Sequence, residues 1–221
     1  FNIKETTAKS VLVKSRLPGV DYVINPYTGC VHGCQYCYAN FMKKFGNHKE
    51  PWGQFTDIKI NAPEVLKKEM AKAKPGNIML SSVTDPYNPL ENKYRLTRQI
   101  LEILLNHQWP LSILTKSSLI VRDIDLLKEF KNCEVGFSFI SLDDKIVRDF
   151  EWHSSLPSNR LKALSQLNHN GLELYAFVAP ILPYLSDLSA IFRGLSKIGL
   201  SYVYCDSFNW RTGGREQTVL S

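Results

Sequence analysis

The chain contains no run approaching the roughly 18 apolar residues that a membrane-crossing helix needs, which excludes a helical transmembrane span. Its first residues, Phe1-Asn2-Ile3-Lys4-Glu5, lack the basic-then-apolar layout of a secretory leader. There is no initiating Met, so trimming at the ends is expected. Cysteine is scarce: five in 221 residues, three of them within eight positions, too few and too clustered for a disulfide scaffold. An intracellular, cytoplasmic protein in a reducing compartment is expected. No low-complexity linker or compositional break appears, so one domain is expected over residues 1–221. Hydrophobic residues at 44% and charged residues at 22% fit a globular chain. The net charge of +6 permits an anionic partner such as nucleic acid without requiring one. Lys43, Lys44 and Lys49 lie close together, whereas Lys67, Lys68, Lys72 and Lys74 read as the wet face of a helix.

Short apolar runs alternate with amphipathic stretches from about residue 76 onward. Strands are expected at Val20–Ile24, Ile78–Leu80, Leu111–Leu114, around Val135, Phe137 and Phe139, at Leu172–Val178 and at Tyr202–Tyr204. Helical spacing joins Leu96, Ile100, Leu104 and His107. It recurs in Ile124, Leu127 and Phe130 behind a capping Asp123, and in Leu161, Leu164 and Leu167 behind Ser158. Asn170-Gly171 stops that last helix; Ser186 opens another, which Gly199 closes. Asn61-Ala62-Pro63-Glu64 resembles a capping box ahead of Leu66, Met70 and Ala73. Strands separated by helices, in units of about 30 residues, argue for parallel β/α topology. The count is nearer six units than eight: a partial (β/α)6 barrel or an open one, unless segments are missing beyond Thr218-Val219-Leu220-Ser221.

The chemistry concentrates in Asn25-Pro26-Tyr27-Thr28-Gly29-Cys30-Val31-His32-Gly33-Cys34-Gln35-Tyr36-Cys37-Tyr38. Thiolates are soft ligands suited to zinc or to iron–sulfur clusters. A structural zinc site needs four ligands, and the fourth would be His32 or a distant Cys133 or Cys205. A four-iron cluster on Cys30, Cys34 and Cys37 instead leaves one iron open to substrate or to a chelating cofactor. The loop follows the first strand, where an α/β protein places its chemistry.

This Cys-x-x-x-Cys-x-aromatic-Cys pattern resembles the signature of the radical S-adenosylmethionine (SAM) superfamily. The resemblance extends to its spore photoproduct lyase and DNA repair photolyase-like branch. It is carried by residues 25–38 and by Val83-Thr84-Asp85-Pro86-Tyr87, Leu96-Thr97-Arg98, Thr115-Lys116-Ser117, Arg122-Asp123, Phe137-Ser138, Glu151, Arg160 and Ala179-Pro180-Ile181. It implies a [4Fe–4S] cluster on Cys30, Cys34 and Cys37, with S-adenosylmethionine chelating the fourth iron. One electron then cleaves the sulfonium to a 5′-deoxyadenosyl radical, which abstracts hydrogen from an organic substrate. Lys116 resembles the lysine that pairs with the cofactor carboxylate. Thr84 and Ser138 resemble the hydroxyls that bind its polar groups, and Tyr36 the aromatic near adenine. The Gly-Gly-Glu common in the superfamily is replaced by Ser81-Ser82-Val83-Thr84-Asp85, so Thr84 or Asp85 must receive the amino group.

Two positions depart from the branch. Ser82 stands where the lyase has a cysteine that returns a hydrogen atom, and an alkyl hydroxyl bond is too strong to do so. Glu151-Trp152 replaces a Glu-Pro. Radical initiation is therefore expected and thymine-dimer repair is not. Cys205, after Tyr202-Val203-Tyr204, is a substitute thiol if it faces the barrel mouth; Cys133 lies at the other end of its strand. Tyr38, with Tyr87 and Arg98, is expected to line the substrate cavity. His32 shapes the loop or bonds a cluster sulfur, while His48, His107, His153 and His169 have surface or capping roles. Glu91 and Arg98 read as a surface ion pair, Asp85-Pro86-Tyr87-Asn88-Pro89 as a turn, and Arg211–Arg215 as a basic loop. The implied partners are a flavodoxin- or ferredoxin-like electron donor and a substrate, with nucleic acid the leading class. The rivals are a radical modifier of a peptide or small molecule and a metal-binding module without turnover.

Overall fold

The computed structural model describes residues 1–208. Among them ten strands form: β1 (Asn2–Thr6), β2 (Leu12–Lys14), β3 (Tyr22–Ile24), β4 (Tyr27–Thr28), β5 (Phe55–Lys59), β6 (Ile78–Leu80), β7 (Leu111–Thr115), β8 (Cys133–Phe139), β9 (Glu173–Ile181) and β10 (Tyr202–Ser207). The α-helices are α1 (Ala62–Met70), α2 (Glu91–Tyr94), α3 (Leu96–Leu105), α4 (Ile124–Leu127), α5 (Asp144–Phe150), α6 (Pro157–His169) and α7 (Leu188–Ser196). None is long and apolar enough to cross a membrane.

Strands β3, β6, β7, β8, β9 and β10 stand side by side in that order, each neighbouring pair parallel, and β2 joins antiparallel beside β3. Spatial order thus matches sequence order, and no point exists at which the crossovers reverse direction. Right-handed crossovers then place the helices on one face of the sheet and leave the other bare. That is the wall of a partial β/α barrel, with the six parallel strands expected from the sequence. Ile78, Leu80, Ile113, Val135, Phe137, Ala176 and Val178 face the helices and join Leu66, Ile100, Leu164 and Ile191 in one core. The alternate residues, among them Met79, Leu114, Tyr175 and Tyr204, face the concave side.

A second sheet, ordered β1-β5-β4, is not foreshadowed by the sequence pattern. Several expected caps also differ. Asn61 does not cap α1; its amide exchanges hydrogen bonds with the Ala8 backbone at 2.8 and 2.9 Å and ties down the N-terminal arm. Asp123 gives its carboxylate to Arg98 and Arg122 rather than to α4. Ser158 lies inside the first turn of α6, bonded to Asp144, because Pro157 already begins the helix. Asp187, one residue after the expected Ser186, accepts the Ala190 N–H and caps α7. His107 and Phe130 fall just beyond the ends of α3 and α4.

Candidate active site

The cysteine loop runs from the end of β4 to a 3-10 turn, Tyr38–Lys44, with Cys37 at its N-cap. Gly29 has φ 85°, and a Cβ there would meet Phe55 O at 2.5 Å. Gly33 approaches Gly53 so closely that a Cβ on the latter would lie 2.6 Å from the Gly33 Cα. Thr84 Oγ1 donates to Gly29 O at 2.7 Å, and the His153 and Gln35 N–H groups bond His32 O and Phe150 O. The loop is thereby pinned to β5, to the end of β6 and to the segment after α5. All three of its cysteines are free thiols.

Cys30, Cys34 and Cys37 line one cavity together with Ser82, Thr84, Asp85, Lys116, Ser138 and Tyr38. Those from Ser82 to Ser138 lie at or just past the C-terminal ends of β6, β7 and β8, where a β/α wall presents its loops. Ser81 begins that rim in a left-handed conformation, φ 68°, costly for a residue with a Cβ. Asn25 Oδ1 accepts from the Ser82 and Val83 N–H groups at 3.0 and 3.2 Å and fixes the backbone beyond it.

Lys116 Nζ donates to Ser138 Oγ at 2.9 Å, and Ser138 Oγ donates to Ala179 O at 3.3 Å. Burial pushes the Cys34 thiol up, as does Glu151, while Lys116 pulls it down. Cys37 is pushed up to about 12 by burial and by Cys30, against the Ala39 N–H and Lys116. Thiols held up by burial in this way would be deprotonated on binding a metal–sulfur group, with Lys116 adding positive charge beside them. Among the described residues no three His, Cys, Asp or Glu side chains form a cage for a single metal ion. A [4Fe–4S] cube takes one thiolate per iron, and three free thiols line this one cavity. The donor set fits it.

Asp85 lines the cavity with its oxygens already engaged: it accepts from Thr115 Oγ1 at 2.7 Å and from the Tyr87 and Lys116 N–H groups at 2.8 Å. His32 Nδ1 lies 3.4 Å from Asp85 Oδ2. Burial raises the Asp85 carboxyl, but His32, Thr115 and the Lys116 N–H outweigh it and hold it at about 2. Burial lowers His32, yet Asp85 and Cys30 raise it to about 10. Asp85 thus anchors the imidazole that touches Cys30. Tyr36 is buried beside the cavity, its ring 5.7 Å from Lys116 Nζ and its hydroxyl donating to the Glu151 carboxylate. Tyr38 is half exposed and donates to Ser82 O.

Glu151 and Arg160, noted in the sequence only as motif matches, form a buried ion pair at the back of the site. Arg160 also donates to Ser138 O and Ser155 O, both at 2.7 Å. The pair therefore joins the cysteine loop, through Tyr36, to the strand that carries Ser138.

Other residues stay apart. Cys205 is exposed and pairs in register with Val178, which faces the helix side, so its side chain points away from the cavity. Cys133 opens β8 at the opposite end. Tyr87 is fully buried in the core and does not line the cavity. Arg98 pairs with Asp123 and Asp125 instead of Glu91. Glu91 is buried and binds Tyr27 and Arg122 rather than forming a surface pair. His48 is buried against Asp57, not at the surface. Arg211–Arg215 lies outside the described residues.

The radical SAM superfamily model matches residues 24–188. This chain belongs to that superfamily. An uncharacterized protein of Methanocaldococcus jannaschii is 40% identical over 209 residues, 95% of this chain and 78% of that protein. Spore photoproduct lyase, solved in complex with dinucleoside spore photoproduct, superposes with a TM-score of 0.73 at 17% identity. That match covers 97% of this chain and 64% of the lyase chain. Streptococcus suis SuiB bound to its precursor peptide SuiA gives 0.64 at 15% identity, over 89% of this chain and 41% of SuiB. Radical SAM proteins are generally enzymes, and solved neighbours bind S-adenosylmethionine.

Proposed function

We propose that this protein holds a [4Fe–4S] cluster on Cys30, Cys34 and Cys37 and uses it to cleave S-adenosylmethionine reductively, so starting a hydrogen abstraction from an organic substrate. The observation that carries this reading is one cavity wall shared by three free thiols and the Lys116–Ser138 pair. Bound together, cluster and cofactor supply one-electron cleavage of a sulfonium and a carbon-centred oxidant. The chain supplies the rest. Lys116 presents a cation to the cofactor carboxylate. Thr84 and Ser138 offer hydroxyl oxygens to its ammonium and ribose. Asp85 steadies His32 and the start of β7's loop, and Glu151 holds the Tyr36 hydroxyl. Tyr38, half exposed on the cavity wall, meets the substrate.

Nucleic acid is the substrate class we favour, supported by the likeness to a lyase solved with a dinucleoside photoproduct and by the net charge of +6. A peptide is the second reading, favoured by SuiB and its precursor peptide. Ser82 lines the cavity and no thiol beyond the three ligands does so among the described residues, which argues against direct dimer repair. Anaerobic reconstitution tests the core of the proposal. About four irons per chain and a broad thiolate-to-iron absorption band are expected, followed by 5′-deoxyadenosine and methionine on reduction with S-adenosylmethionine. The Ala variants of Cys30, Cys34 and Cys37 should each lose the band; those of Cys133 and Cys205 should keep it. One tightly bound zinc with iron loading failing refutes the reading.

A further inference from the structure

The turn after Cys37 has two unlike faces. Its inner face, Ala39 and Met42, packs with Cys30, Cys37, Trp52 and Phe55. Its outer face carries Phe41 and Phe45, 41% and 75% exposed, their rings edge to face at 6.2 Å. Lys43, Lys44 and Lys49 flank them, and none is in an ion pair among the described residues. The nearby acids already have partners: Glu50 accepts from the Asn2 amide and the Lys49 N–H and lies beside His48, and Asp57 pairs with His48. The face is also rigidly based. The His48 N–H bonds Lys43 O at 3.0 Å, and its ring stacks on Phe55 at 4.0 Å. Apolar rings amid unpaired cations make a typical protein docking patch, here on the outer side of the one turn whose inner residues pack against Cys30 and Cys37.

We infer that Phe41 and Phe45, with Lys43, Lys44 and Lys49, form the docking surface for a small acidic one-electron carrier protein. This rests on the cluster assigned above. The carrier's reduced centre loses one electron and the cluster gains it; no atom or proton moves. Aromatic rings among lysines also suit single-stranded nucleic acid. Neither Phe41, Phe45 nor the three lysines line the cavity, however, so a strand bound there does not present its reacting atom to the site. A carrier needs only proximity to the cluster, and on this face it leaves the cavity free.

The test compares the wild type with Lys43→Glu/Lys44→Glu/Lys49→Glu and with Phe45→Ala, all reconstituted. Each is reduced in a stopped-flow instrument by flavodoxin hydroquinone and, separately, by photoreduced deazaflavin, a small reductant that needs no docking. The triple variant should be reduced by flavodoxin at least about tenfold more slowly at low salt and lose most of the salt dependence. Phe45→Ala should be slowed severalfold, and the deazaflavin rates should not change. Unchanged flavodoxin rates, or equal losses with both reductants, overturn the proposal. So does loss of single-stranded DNA binding with flavodoxin reduction intact. If no cluster assembles, the cluster assignment fails by itself. Calorimetry of oxidised flavodoxin with the cluster-free chain then still decides the surface: binding lost in the triple variant supports it, and no binding by the wild type refutes it.

Discussion

Removing one partner of the Glu151–Arg160 pair should damage this protein more than removing both. Arg160 is fully buried and Glu151 is 1% exposed. In Arg160→Met, the carboxylate keeps only Tyr36 and the Ser154 hydroxyl at 2.9 Å, while Ser138 O and Ser155 O lose their donor. Stranding a buried charge in this way costs about 3–5 kcal/mol. Glu151→Gln strands the guanidinium similarly but keeps an acceptor for Tyr36. Replacing both, Glu151→Gln with Arg160→Met, removes the charges together and should cost less than either single loss. Denaturant unfolding of the four proteins measures this directly. The acid limb adds a signature. Burial raises the Glu151 carboxyl, but Arg160, Lys116 and the hydrogen bonds from Arg160 and Tyr36 bring it below the usual range. Its ionised form therefore stabilises the fold above the ordinary carboxylate value of about 4.3, and that contribution is lost as pH falls through the lower folded value. Glu151→Gln should lack this acid-dependent part. Strictly additive losses, or single variants costing under about 1 kcal/mol, would refute the buried-pair argument.

Lys116→Ala should retain iron and lose S-adenosylmethionine affinity by about 10–150-fold, or roughly 1.5–3 kcal/mol, read by calorimetry; unchanged binding removes Lys116 from the cofactor pocket. In the folded chain Cys205, which is exposed, should be alkylated promptly. Cys133, 7% exposed and pushed up to about 12 by burial with help from Glu134 and Glu173, should react only on unfolding. Mass spectrometry distinguishes the two. Given the spore thymine dimer, the wild type should yield intact thymine as a minor product at most, because Ser82 cannot return a hydrogen atom; many turnovers of clean repair would contradict this.

Strands β6 to β9 were legible because their apolar runs face a core built by the helices between them. The cysteine loop was legible because its spacing is local. The small sheet was not: β1 is Asn-Ile-Lys-Glu-Thr, largely exposed, and β4 is two residues long. Glu91 read as a surface residue because its partners, Tyr27 and Arg122, lie 64 and 31 residues away. Cys205 shows a subtler limit. Its place along β10 says how high it sits on the wall. Only the alternation with Tyr202 and Tyr204, which share the concave side with Tyr175, says which way it points.

The agreement between strand order in space and in sequence bears on how the chain is made. Each parallel strand from β7 onward leaves the ribosome to find its partner already present, so the wall can grow by accretion with short-range closures. The cysteines emerge before Lys116 and Ser138, and β3 waits for β6 with the loop hanging between them. The three thiols thus precede the last wall of their cavity by roughly 100 residues, on the order of 5–20 s at typical synthesis rates. Metal loading during that interval meets an open loop, and later loading meets a finished cavity.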